Sequence, residues 1–203
     1  MSLAVVSFLE IFIPLFVVID PFGTLVLFMA ATSDMSPKER RLATKDAVVY
    51  GSLILVFFAV LGNVIIFFFG ISIQALEIAG GIILLIMGIE MVREGDKPKS
   101  TRSSNGTTDV GIVPFATPLL AGPGAISLVI ILMKNGLMEE IFTLMSILVV
   151  FLIVYIFFTY SLKIMDVVGE RPMKALTRIF GLLVAAFAIQ YFIDAMTGLG
   201  LIK

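Results

Sequence analysis

Apolar residues run along this chain in long blocks separated by short polar breaks. The blocks occupy 3–31, 47–69, 72–92, 110–133, 138–162 and 176–199. A helix needs about 20 apolar residues to cross the hydrocarbon core of a bilayer, so the pattern predicts six transmembrane helices. The exception among the short breaks is 93–109, where Arg93-Glu94-Gly95-Asp96-Lys97-Pro98-Lys99-Ser100 and its continuation read as a flexible polar linker. The predicted architecture is an all-α membrane protein. It has a first three-helix unit at 1–92, a cytoplasmic linker at 93–109 and a second three-helix unit at 110–203.

Composition agrees. Hydrophobic residues make up 60% of the 203 and charged residues 14%, with a mean hydropathy of +1.13. A soluble domain is about half apolar and one quarter charged, so this chain has too little polar surface to face water. The bilayer is its expected partner. A net charge of -1 gives no footprint for nucleic acid. Cysteine and histidine are both absent. That removes disulfides, thiol chemistry, histidine bases and the common transition-metal ligand sets, so neither an enzyme nor a cofactor is expected. The N-terminus is apolar from Leu3 with no basic region ahead of it, and the stretch outruns a signal-peptide core. It reads as a retained span.

Basic residues set the expected orientation. Lys38, Arg40, Arg41 and Lys45 follow span one; Arg93, Lys97, Lys99 and Arg102 follow span three; Lys163, Arg171, Lys174 and Arg178 follow span five. Only Lys134 and Lys203 fall on the opposite side. The positive-inside rule then places both termini outside a multi-pass protein of the cytoplasmic (cell) membrane. Asn105-Gly106-Thr107 matches a glycosylation sequon but falls on the cytoplasmic side, and is discarded.

The halves resemble each other when slid by about one hundred residues. Ala75-Leu76 matches Ala175-Leu176, Gly81-Ile82-Ile83 matches Gly181-Leu182-Leu183, and Gly88 matches Ala188. With three spans per half, the second half enters from the opposite side, so the expectation is two inverted three-helix repeats, a recurrent device of secondary transporters. Gly81 and Gly88 are one heptad apart, as are Gly181 and Ala188. Each pair forms a small-residue face that permits close helix packing.

Two spans carry helix breakers at related places. Ile19-Asp20-Pro21-Phe22-Gly23-Thr24 lies inside the first, while Pro114, Thr117, Pro118, Leu119, Gly122, Pro123, Gly124 and Ala125 lie in the fourth. Proline removes a backbone donor and glycine adds freedom, so helices 1 and 4 are expected to be broken near the bilayer midplane. Asp20 before Pro21 reads as an N-cap and first-turn proline, and a second restart is expected at Gly122-Pro123. Two half-helix N-termini would then meet near the midplane with free N–H groups and positive dipole ends, which suits a carboxylate. A charge at the centre of a span costs about 2.5–3.5 kcal/mol on insertion scales. Asp20 is therefore either a plain cap or a functional group facing a substrate ammonium or a coupling proton. Thr24, Thr117 and Ser127 are further candidate donors.

With these residues the chain resembles the MarC family of membrane proteins, which includes small neutral amino-acid transporters. The resemblance rests on Ile19-Asp20-Pro21-Phe22-Gly23 and on Pro118-Leu119-Leu120-Ala121-Gly122-Pro123-Gly124-Ala125-Ile126, and covers essentially the whole chain. It implies transport of glycine, alanine, serine or threonine across the cytoplasmic membrane. Many relatives carry a second proline soon after the Gly23 motif, where this chain has Thr24-Leu25-Val26.

The functional expectation is a secondary transporter working by alternating access. The substrate-binding candidates are Asp20, Pro21, Phe22, Gly23, Thr24, Thr117, Pro118, Leu119, Gly122, Pro123, Gly124 and Ala125. No phosphate-binding Gly-x-x-x-x-Gly-Lys-Ser/Thr motif occurs, so a coupling ion, proton or sodium, would drive it. The alternative is an ion or small-solute channel with the broken helices as its filter. Small-residue faces leave a homo-oligomer open.

Overall fold

The computed structural model describes residues 3–93, 120–133 and 136–202. The described residues are mostly helical and contain no strand. Among the described residues eight helices follow one another: α1 (Leu3–Ile19), α2 (Pro21–Ala31), α3 (Pro37–Phe68), α4 (Ile73–Arg93), α5 (Pro123–Leu132), α6 (Leu137–Thr159), α7 (Ser161–Val168) and α8 (Glu170–Gly198). Five stretches among the described residues are long and apolar enough to cross a membrane: Val5–Ala31, Pro37–Phe68, Ile73–Arg93, Leu137–Thr159 and Glu170–Gly198. The first takes in both α1 and α2. Of the expected fourth span only the ten-residue α5 and its approach are described; Pro114, Thr117, Pro118, Leu119 and nearly all of the 93–109 linker lie outside the described residues.

The helix boundaries depart from the hydropathy blocks for a local reason. The second block begins at 47, but α3 begins at Pro37. Ser36 accepts from the Glu39 N–H at 3.4 Å, and Glu39 Oε2 accepts from the Ser36 N–H at 2.8 Å. This capping box, with proline at the first position, starts the helix in its polar part. Lys38, Arg40, Arg41 and Lys45 consequently ride on helical turns and not in a loop. The same holds at α8, which opens at Glu170 after Gly169 (φ 79) and carries Arg171, Lys174 and Arg178. Lys174 pairs with Glu170 at 2.6 Å. Between α6 and α8 the short helix α7 replaces the expected end of span five.

Apolar faces point both inward and outward. Leu53, Phe57, Val60 and Val64 recur at helical spacing on one side of α3 and are all exposed, as are Phe67, Phe68 and Phe69 at its end. An uninterrupted exposed apolar stripe fits lipid and not water. Inside, Leu15, Leu25, Leu55, Leu84, Val129, Val150 and Phe158 belong to one buried cluster, and Phe28 stacks on Phe158 with centroids 4.1 Å apart.

The most extensive packing joins α4 to α8, and small residues make it close. A Cβ placed on Gly81 would lie 3.0 Å from the Ala188 carbonyl oxygen, and one on Gly88 would lie 2.7 Å from that of Gly181. Backbone therefore meets backbone along this seam, the geometry that small residues allow in membrane helices. The short helices are held by distant parts of the chain. α2 packs on α8 and α6, while α5 packs on α4 and α3. Arg40, on α3, donates from Nη2 to the Thr32 carbonyl at 2.8 Å, placing a cation at the C-terminal end of α2 where the helix dipole is negative.

Candidate functional site

The chain turns sharply between α1 and α2. Asp20 has φ 45 and ψ 72, and it is the one non-glycine residue with positive φ among those described. The cause is local. A residue before proline is pushed out of the right-handed helical region, and Pro21 has no N–H to offer the Val17 carbonyl four residues back. Asp and Asn are the side chains that tolerate the left-handed region best, though it still costs about 1–2 kcal/mol. Bonds on both sides hold the turn. The Asp20 N–H donates to the Phe16 carbonyl at 3.1 Å, and the Asp20 carbonyl accepts from the Thr24 N–H and hydroxyl, each at 2.9 Å.

Asp20 is 6% exposed. Its carboxylate faces the N–H groups of Gly23 and Phe22 and the Thr177 hydroxyl without closing a full cap hydrogen bond. Oδ1 is buried and has no partner among the described residues. Gly23 is required here, since a Cβ at that position would collide with Asp20 Oδ2. Pro21 and Thr24 are buried behind the turn. Phe22 is half-buried among Phe16, Phe157 and Phe180, with ring centroids 6.1, 5.4 and 5.5 Å away.

The second helix start is built differently. Leu120 and Ala121 are buried, Gly122 is extended at φ -70 and ψ 167, and Pro123 opens α5. The Gly122 carbonyl accepts from the Ile126 N–H at 3.0 Å. Proline has no N–H and glycine no side chain, so the N–H groups of Gly124 and Ala125 lack any cap from their own helix. Gly124 is buried; a Cβ there would lie 2.7 Å from Leu84 Cδ2. Ser127, also buried, sits against Gly80 of α4, where an added Cβ would approach its own Cβ to 2.8 Å.

The structure thus places Asp20, Pro21, Phe22, Gly23 and Thr24 at one helix start and Gly122, Pro123, Gly124 and Ala125 at another. Thr117, Pro118 and Leu119 lie outside the described residues. Thr177 was not among the residues singled out by sequence; it stands in the polar first turns of α8, where a threonine carries no local signal. No cluster of three or more acidic residues that could hold a metal ion occurs among the described residues. Chemically the two starts are complementary. Among the described residues, one offers a buried carboxylate oxygen without a partner, and the other offers backbone donors with no side-chain cap.

Comparison with known proteins follows the same lines. Residues 5–199 match the family described as MarC family integral membrane protein. A UPF0056 membrane protein of Methanocaldococcus jannaschii is 34% identical over 197 residues, covering 94% of this chain and 96% of the relative. A UPF0056 membrane protein of Pyrococcus abyssi is 31% identical, covering 95% of each chain. One from Aquifex aeolicus is 27% identical, covering 96% of this chain and 94% of its own. These names specify a membrane protein and no cargo. No solved structure matches the chain.

Proposed function

Since the chain belongs to the MarC family of integral membrane proteins, we propose that it is a secondary transporter of small neutral amino acids (glycine, alanine, serine, threonine). The observation that carries this reading is that the chain has two proline-opened helix starts of unlike chemistry. An amino-acid zwitterion has one anionic and one cationic end. Its carboxylate suits the N-terminus of α5, where the Gly124 and Ala125 N–H groups meet a positive dipole end. Its ammonium suits Asp20, whose Oδ1 is buried and unpartnered. The same N–H positions of α2 are already faced by the Asp20 carboxylate, which favours the α5 end for the anion. The spaces beside the Gly23 and Gly124 Cα atoms are already filled, by Asp20 with Thr177 and by Leu84, and a crowded site of this kind suits a small cargo.

On this reading helices 1 and 4 are broken near the midplane and the halves form an inverted repeat. The α4–α8 seam supports it. Under a shift of one hundred residues, Gly81 against Ala188 becomes Gly181 against Gly88, which is the other close contact found. Likewise α2 on α8 exchanges with α5 on α4, and α2 on α6 with α5 on α3. Alternating access would then be a rocking of one half against the other in the cytoplasmic membrane, with both termini outside.

Counterflow of labelled glycine and alanine in proteoliposomes tests the proposal. Saturable exchange, competed by small neutral amino acids but not by leucine or lysine, is the expected result. Currents without saturation by any amino acid would replace the carrier with a channel.

A further inference from the structure

The two carboxylate oxygens of Asp20 lie in different surroundings. Oδ2 turns back over Gly23 so closely that a Cβ there would collide with it, and the Thr177 hydroxyl oxygen stands 3.0 Å from the same point. Packing of α8 on α2 brings Thr177 there. Oδ1 is buried and has no partner among the described residues. The Thr177 hydroxyl also reaches the Met173 carbonyl, one turn back in its own helix, at 3.2 Å. That is a long bond for a hydroxyl donor. Thr24, Thr44 and Thr143 close the equivalent bond at 2.9, 2.9 and 2.7 Å. The single proton of Thr177 is therefore only loosely engaged by its own helix.

We propose that Thr177 is a positioning residue for Asp20: together with the first turn of α2 it holds Oδ2, so that Oδ1 stays turned to the ammonium group of the cargo. The inference rests on the transport reading above. Thr177 itself does not touch the cargo. Its hydroxyl ties the last long helix to the turn that carries the charge, and without it the carboxylate can rotate and satisfy both oxygens on the α2 N-terminus.

Thr177→Val removes the hydroxyl and keeps the shape. In glycine counterflow the half-saturating concentration should rise about tenfold, the scale of one hydrogen bond to a charged group, while the maximal exchange rate stays near the parent's. Thr177→Ser should restore the parent value. An unchanged half-saturation in Thr177→Val would overturn the inference and leave the transport reading intact. A readout free of transport runs beside it: melting of Asp20→Asn, Thr177→Val and the double variant. Losses smaller in combination than their sum support the contact, and additive losses overturn it. A parent that exchanges no small neutral amino acid would defeat the transport reading, and the melting cycle would still decide on the contact.

Discussion

Gly88→Ala is the simplest substitution whose cost the geometry makes severe. The added Cβ would lie 2.7 Å from the Gly181 carbonyl oxygen, 2.8 Å from the Ala185 nitrogen and 3.2 Å from its Cα. All three are backbone atoms and cannot rotate aside. Reaching an ordinary contact near 3.4 Å requires the helices to part by about 0.7 Å along the most extensive seam of the molecule. Overpacking of a tight interior costs about 1–3 kcal/mol, and here the upper end applies. Against it stands about 1 kcal/mol gained by alanine over glycine in a helix interior. The net loss is about 2 kcal/mol, which for a chain of this size lowers the melting temperature by about 4–8 °C. The chain lacks tryptophan and cysteine, so tryptophan emission and thiol-reactive dyes report nothing, and far-ultraviolet circular dichroism in detergent is the assay. Gly198→Ala is the control on the same two helices. Its Cβ would meet only the Gln74 side chain, Nε2 at 3.0 Å and Cγ at 3.3 Å, which is flexible and can swing away, so its melting should match the parent's. Gly181→Ala closes the same contact from the other side, at 2.8 Å from the Gly88 carbonyl, and the double variant should lose less than the sum because one separation serves both. A Gly88→Ala protein melting at or above the parent would refute the reasoning.

Two further outcomes follow from the turn and from the charge distribution. Asp20→Gly should melt within about 1 kcal/mol of the parent, since glycine takes φ 45 without penalty, yet lose amino-acid exchange; retained exchange would show that Asp20 is only a cap. Single cysteines introduced into this cysteine-free chain at Asp34 and Leu137 should be labelled by an impermeant thiol reagent from the cytoplasmic side for the first and from outside for the second, and the reverse pattern would invert the orientation.

The membrane class was legible in hydropathy because lipid imposes it residue by residue. Where helices start was less so. Hydropathy marks where a helix enters lipid, whereas hydrogen bonding starts it, and for α3 the Ser36–Glu39 box does so ten residues before the apolar block. Helix α7 went unread because Ser161–Val168 mixes Lys163 and Asp166 with apolar residues. The small-residue faces of α4 and α8 were legible as faces, since glycine leaves a gap in any partner. That they meet each other is a tertiary fact. At the site the Asp-Pro step carried its own signal, because both residues act on the local backbone. Thr177 carried none, for its role depends on a helix about 150 positions away.

The short helices also bear on biosynthesis. At about 1.5 Å per residue, the eleven residues of α2 and the ten of α5 each fall well short of the roughly 30 Å that a lone helix must span. Helix α5 emerges from the ribosome when α3 and α4, its hosts, are already made. For α2 the order is reversed, since α6 and α8 are made last. The parts of α6 and α8 that pack on the Asp20 turn, Thr177 among them, are therefore made after the turn itself. A chain truncated before Glu170 should then leave α2 without its α8 contacts, and a membrane protease should remove it faster than the parent.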